Sequence, residues 1–423
     1  MDYILDFFKY IIGLGVTVMM PIIITILGVV FRKKISTAFK AGLTVGVGFV
    51  GLGVITGLML STISPVTKAL VLNYNFKLTA TDIGWGVGSS LAWGTEVVPF
   101  VFIAIIATNI IMIALKWTKT MDVDIWNYWQ PLFIASALYL TTGSMIIAVL
   151  SAVINMAIIF KIADWTQKDV EDVLGLEGIS LPQIQTSGWA IIGYPINWLF
   201  ERIPGVKNIN WSTEKVQSRL GIFGEPMLMG LIIGGGLALV AKMPFSTVLQ
   251  TGVTISACLV LIPRMVSLLM DGLTVISEAA HEFMEKRFPG RELFIGLDSA
   301  VGIGHPFVLS LGLIMIPITL LLAFILPGNK VLPLADLTAL PFYMIFAIVP
   351  SKGNLFRGIF TGVIITTITL YLAGAAAPLM TELAGQIGYN IPKDATEVTS
   401  LAVGTQWYTW IVYNVLHFFG NLF

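Results

Sequence analysis

The stretch "GLDSAVGIGHP", residues 296–306, sets a carboxylate, Asp298, and an imidazole, His305, directly before the apolar run Phe307–Leu326. An aspartate placed in hydrocarbon costs about 2.5–3.5 kcal/mol even on a lenient insertion scale, so intramembrane polar residues are functional suspects by default, and Asp298 and His305 come first. The glycines between them let the backbone unwind and offer its amides and carbonyls to a polar solute. The competing reading is a structural pair that stabilises a bend. Glu96, in "LAWGTEVVPF", enters its apolar segment just before Pro99 and either lines the same cavity or sits at the membrane interface. "MDVDIWNYWQPLF", residues 121–133, joins carboxylates to Trp126, Asn127, Trp129 and Gln130. Amides there could hold hydroxyls while indoles stack on a polyol's C–H face, although interfacial anchoring is the favoured reading of Trp126 and Trp129. Gln183, Gln185, Thr186 and Ser187 supply uncharged donors and acceptors that suit a neutral polyhydroxyl solute.

The elements that carry these residues are those of a polytopic membrane protein. The 423 residues are 56% hydrophobic and 11% charged, with a mean hydropathy of +0.89, outside the range of soluble domains. Lys+Arg and Asp+Glu both number 24, so no basic field exists to attract nucleic acid. Three histidines are too few for a metal-rich enzyme, and neither metal nor cofactor is expected. The single cysteine, Cys258, lies in an apolar stretch and reads as a packing residue. His281 reads as a solvated residue of an interfacial helix over 270–288, and His417 receives no role.

Apolar stretches near 10–31, 41–60, 91–115, 131–160, 226–242, 245–263, 306–327, 335–350, 358–380 and 402–423 predict an all-α protein of about ten spans. The first, running into Arg32-Lys33-Lys34, reads as a true span and not as a cleaved signal. With the basic clusters 32–40, 116–119 and 286–291 facing the cytoplasm, the N-terminus is expected outside. The segments 187–200 and 293–304 are short and broken by glycine or proline, as in re-entrant hairpins. Connectors 164–185 and 201–225 are too short for a soluble domain, so 1–423 is expected to be one membrane unit and any phosphate donor another chain.

Asp82-Ile-Gly-Trp-Gly-Val-Gly-Ser89 and Asp298-Ser-Ala-Val-Gly-Ile-Gly-His305 share the pattern D-x3-G-x-G followed by a polar residue. This suggests an inverted repeat, about 10–115 against 224–330, whose glycine-rich segments meet near the bilayer midplane. Gly46-Val-Gly-Phe-Val-Gly51 fits the dinucleotide fingerprint only formally. It lies inside an apolar span, where small residues let helices approach closely.

Read from these residues alone, two classes of activity stay open. One is a proton-coupled secondary transporter using Asp298, Glu96 and Asp82. The other is a membrane enzyme, against which stands the lack of any clustered nucleophile, histidine and acid.

In order along the chain, "FKAGLTVGVGFVGLGVITGLML", "VDIWNYW", "EGISLP", "FGEP", "GLDSAVGIGHP", "LPGNKVLPLADL" and "KGNLFRGI" together resemble the galactitol-specific enzyme IIC of the bacterial phosphotransferase system, and more distantly its ascorbate-type relatives. The resemblance implies an inner-membrane, multi-pass homodimer with a fixed dimerisation domain and a core that moves as an elevator. It implies galactitol or a related polyol as substrate, phosphorylated while bound by a phosphocysteine on a separate enzyme IIB that enzyme IIA recharges. The phosphoryl donor residue is thus not on this chain. It implies Asp298 at the reacting hydroxyl, with Ser89, Ser90, Gln130 and Gln183 or Gln185 around the substrate. Such transporters carry histidine near positions 130 and 183. Glutamine at both keeps a donor and an acceptor but no acid–base function, which leaves His305 the only imidazole near the site.

Overall fold

The computed structural model describes residues 16–74, 79–209, 211, 225–287, 293–389, 391 and 395–420. The expected span over 10–31 therefore begins outside the described residues, as do the end of the 286–291 basic cluster and most of the connector 201–225. The chain is mostly helical. It also contains two small parallel sheets that an all-α reading leaves out.

The described elements follow one order twice. The first series runs α1 (Val16–Val30), α2 (Ile35–Tyr74), β1 (Ala80–Asp82), α3 (Gly84–Trp93), α4 (Val98–Ala114), β2 (Thr120–Asp122), a 3-10 turn (Ile125–Tyr128), α5 (Trp129–Thr142), α6 (Met145–Leu174), β3 (Ile179–Ser180), α7 (Ile184–Ser187) and α8 (Ala190–Phe200). The second runs α9 (Pro226–Val240), α10 (Phe245–Arg287), β4 (Phe294–Gly296), α11 (Ala300–Ile303), α12 (Pro306–Ile325), β5 (Val331–Leu332), a 3-10 turn (Leu337–Ala339), α13 (Leu340–Ile348), α14 (Leu355–Gln386), β6 (Glu397–Thr399), α15 (Leu401–Gly404) and α16 (Trp407–Gly420). The turns correspond as well. Arg32 closing α1 and Lys242 closing α9 both take left-handed backbone, with φ 65° and 57°.

The series are interlocked through their strands. β1 lies between β5 and β6, both from the second series, and β4 lies between β2 and β3, both from the first. All four pairings are parallel. Each series therefore needs the other to complete its sheet.

Four helices form a separate packed group. α2 and α10, 40 and 43 residues long, would reach about 60 Å, twice the hydrocarbon thickness. They run antiparallel, with Gly272 against Ala41, Met265 against Gly51 and Cys258 beneath Ile55. Of the stretch 270–288, expected as an interfacial helix, residues 270–287 are the end of α10 and 288 lies outside the described residues, and Cys258 is a buried packing thiol. Glycine sets the spacing: a Cβ at Gly230 would sit 2.5 Å from the Ser256 Cα, and one at Gly234 2.8 Å from the Ile255 Cβ. Small residues permitting backbone contact are the usual means of packing helices in lipid, where the hydrophobic effect does not drive association.

Among the described residues four helices or helix segments are long and apolar enough to cross a membrane: α6, Phe245–Ile262 of α10, α12 and α14. A fifth results if α3 and α4, bent by 96° at their junction, are one broken span. The stretch 131–160 is two helices, parted at Gly143, whose φ of 67° gives α5 a left-handed C-cap. The stretch 335–350 is a turn and the short helix α13.

If close glycine contacts hold this group together, Gly230→Leu should lower the melting temperature of the purified protein, at a cost of about 1–3 kcal/mol or more as the helices are forced apart. Gly236→Ala, where an added Cβ meets nothing within 4 Å, should leave it unchanged. Equal melting of the two variants would refute the packing role.

Candidate functional site

Two carboxylate clusters lie where the chain leaves the two sheets. In the first, β4 runs into Asp298, which is 3% exposed. The Asp298 N–H donates to Asp124 Oδ2 at 3.1 Å, Ala300 N–H donates to Asp298 Oδ1 at 2.7 Å, and Gln183 Nε2 donates to Asp298 Oδ2. Thr186 Oγ1, 2.8 Å from Gln183 Oε1, orients that amide so that its nitrogen faces the carboxylate. Asp124 caps the following 3-10 turn by accepting from Trp126 N–H at 3.0 Å. Beside it, Asp122 Oδ1 accepts from Asn127 Nδ2 at 2.9 Å and from Asp124 N–H at 3.3 Å. Three carboxylates thus share one buried site, and none has an ion-pair partner among the described residues. Their partners are neutral amides, which is how a buried acidic group avoids the penalty of an unpaired charge.

The loop that carries Asp122 and Asp124 is anchored from outside the cluster. Asn109 of α4 straps β2 by donating to Thr120 O at 3.0 Å and accepting from Asp122 N–H at 3.1 Å. Asp164 of α6 accepts from Thr118 Oγ1, Lys119 N–H, Thr120 N–H and Thr120 Oγ1 at 2.9–3.1 Å. A two- or three-residue strand has too few ladder bonds to fix its own register. Asn109 and Asp164 supply the rest.

The second cluster mirrors the first with different residues. Asp82 accepts from Gly84 N–H at 3.0 Å and from Asp336 N–H at 2.9 Å. Asp336 accepts from Trp85 N–H at 2.7 Å, Ser400 Oγ at 2.6 Å and Ala402 N–H at 3.2 Å. Each of its four carboxylate oxygens is occupied. The clusters approach each other through an edge-to-face contact of Trp85 with Trp126, ring centroids 5.6 Å apart.

The residues singled out in the sequence divide accordingly. Asp298, Gln183 and Asn127 converge on the first cluster. Gln185 is buried on α7 beside them. Gln130 is buried but turned to its neighbours, its amide best placed to donate to Asn127 O at 2.9 Å and accept from Trp129 Nε1 at 3.0 Å. Trp126 and Trp129 are buried, so neither is an interfacial anchor. Ser89 donates back to Gly86 O at 2.9 Å, on α3. Ser90 lies on the same helix, its side chain outside the described residues. Glu96 is exposed at the break between α3 and α4 and bonds Tyr139. His305 caps α12: its Nδ1 accepts from Phe307 N–H at 3.3 Å, and its ring lies edge-on to Phe307. Its visible role is structural. Asp122, Asp164, Asn109 and Asp336 were not singled out as site residues. For Asn109 and Asp336 the sequence signal is an amide or acidic residue set among mostly apolar neighbours; Asp122 and Asp164 sit among other polar residues and carry no such signal.

Comparison with known proteins gives this site its context. The sequence matches the family described as the sugar-specific permease component of the PTS system over residues 10–394. It is 40% identical over 397 residues, 94% of this chain and 91% of the other, to a provisionally named permease IIC component of Escherichia coli (strain K12). It is 38% identical over 407 residues, 96% and 90% of the two chains, to the PTS system galactitol-specific EIIC component of the same strain, and equally to that of Escherichia coli O157:H7. Agreement at this level over nearly the whole length settles family membership, and the chain belongs to the sugar-specific permease components of the phosphotransferase system, EIIC-GAT.

Proposed function

We propose that this permease carries galactitol or a closely related polyol across the bacterial inner membrane and presents it for phosphorylation by a separate enzyme IIB. The observation that carries this reading is the buried, uncharged-donor setting of Asp298, joined to Gln183 across the two series, in a chain 38% identical to a galactitol-specific component. A site of carboxylates and amides without a cation suits a neutral, hydroxyl-rich solute, which both donates and accepts hydrogen bonds.

In the reaction, the polyol oxygen attacks phosphorus on the IIB phosphocysteine. The O–P bond forms, the S–P bond breaks, the thiolate leaves, and the hydroxyl proton passes to Asp298. Such a transfer requires an aligned oxygen more than covalent help, and Asp298, fixed by Ala300 N–H and Gln183 Nε2, supplies the alignment.

We infer that Val16–Phe200 and Pro226–Gly420 are inverted repeats, with α3–α4 and α11–α12 as the re-entrant segments and the α1, α2, α9 and α10 group as the fixed, dimer-forming scaffold of an elevator. The support is the identical element order and the separate packing of those four helices. Enzyme IIA then serves only to recharge IIB.

Vesicles containing the protein should convert labelled galactitol to its phosphate only when IIB and its phosphoenolpyruvate-fed carriers are present. Asp298→Asn should cut that rate by about 10²-fold or more. Unmodified galactitol accumulating with a proton gradient would contradict the reading. For His305, a capping role predicts that His305→Asn keeps activity and stability, whereas His305→Ala loses about 0.5–2 kcal/mol of stability. Loss of phosphorylation in both, at unchanged melting temperature, would make His305 catalytic instead.

A further inference from the structure

Asp122 stands out as the place where the two clusters part ways. By strand register Asp122 pairs with Gly296, two residues before Asp298. Its counterpart, Val331, pairs with Ala80, two residues before Asp82. One repeat has a carboxylate where the other has an isopropyl group. In the Asp82 cluster every carboxylate oxygen is occupied. In the Asp298 cluster Asp122 Oδ2 has no partner among the described residues, and neither does Asn127 Oδ1 on the amide that bonds Asp122. Asp122 is 8% exposed and Asn127 0%.

A fold does not need this arrangement, because the other sheet is built without it. Leaving a buried acceptor unmade is costly, and here two lie on side chains already bonded to each other. Both unfilled positions are acceptors, so the complementary group is a donor. Among the described residues no group of three or more His, Cys, Asp or Glu side chains, these three carboxylates included, is placed to hold a metal ion. Neighbouring hydroxyls of a polyol are neutral donors whose spacing allows two to engage adjacent acceptors.

We propose that Asp122 Oδ2 and Asn127 Oδ1 form an acceptor-only subsite that takes hydroxyl donors of the polyol whose reacting end is held at Asp298. The inference rests on the polyol reading above and adds to it a specificity-determining residue. Asp122 selects for hydroxyls at positions other than the one phosphorylated, and Asp298 serves the reacting one. A carboxylate acceptor gives the stronger, charge-assisted bond, so stereoisomers that cannot deliver a hydroxyl there are rejected.

The test uses purified full-length protein in nanodiscs, wild type and Asp122→Asn, with labelled galactitol, a set of stereoisomeric hexitols and their deoxy analogues. The variant keeps an oxygen for Asn127 Nδ2 and Asp124 N–H and changes only the unfilled position. We expect galactitol affinity to fall about tenfold to a hundredfold, the range of a hydrogen bond to a charged group, with the melting temperature unchanged or raised. At least one deoxy analogue should bind wild type more weakly than galactitol yet bind both proteins equally. A lowered melting temperature with unchanged galactitol affinity would overturn the proposal and make Asp122 structural. If wild type binds no galactitol but binds another hexitol, the substrate named above fails, while the same comparison on that hexitol still decides Asp122. If it binds none, a lowered melting temperature of the variant overturns the subsite and a raised one upholds it.

Discussion

The reciprocal exchange of strands is the constraint on which the rest depends. β1 is completed only by β5 and β6, and β4 only by β2 and β3. Strands of two or three residues cannot persist by their ladder bonds alone. Side chains finish the work: Asp298 joins β4 to the 122–124 loop and to Gln183, and Asp82 joins β1 to Asp336. The residues that close the sheets are therefore the residues that form the clusters. Architecture and site are one hydrogen-bond system, and the two halves of the chain must fold around each other to make either.

That system also determines what the site can bind. Acidic groups inside a membrane protein are tolerated when paired or hydrogen-bonded, and among the described residues these carboxylates are served by backbone N–H groups and neutral side chains, not by lysine or arginine. A cationic partner would have made a closed ion pair, whereas neutral donors leave acceptor capacity that hydroxyls can use. In the Asp82 cluster all four carboxylate oxygens are already occupied. The two clusters differ in that one carries Asp122 and Asn127, whose Oδ2 and Oδ1 have no hydrogen-bond partner among the described residues.

Much of this was legible in the sequence, but unevenly. Asp298 stood out because a carboxylate amid glycines before a long apolar run has few structural explanations, and Gln183 through the order of motifs. The D-x3-G-x-G pattern at Asp82 and Asp298 marked the two places where carboxylate clusters form. The strands were invisible, because two or three residues lie below the length at which alternation can be read. Without them Asp122 and Asp336 had no visible reason to be buried, and Asp164 and Asn109 looked like ordinary helix residues. His305 shows in the structure a role its sequence position also allows: an imidazole before a proline at a helix start is a cap. For Glu96 the chain position left cavity and membrane interface open, and the structure has it exposed at the 96° bend between α3 and α4, bonded to Tyr139. Helix ends at Gly143 and within 335–350 were missed since apolar composition continues through them.

The central claim is that the polyol binds at the Asp298 cluster. The most direct measurement is an experimental structure of the protein with galactitol bound, at a resolution that places the hydroxyls. The account predicts one hydroxyl oxygen within hydrogen-bond distance of the Asp298 carboxylate and Gln183. Galactitol seated instead at the Asp82 and Asp336 pair, or against the α2–α10 group, would contradict it.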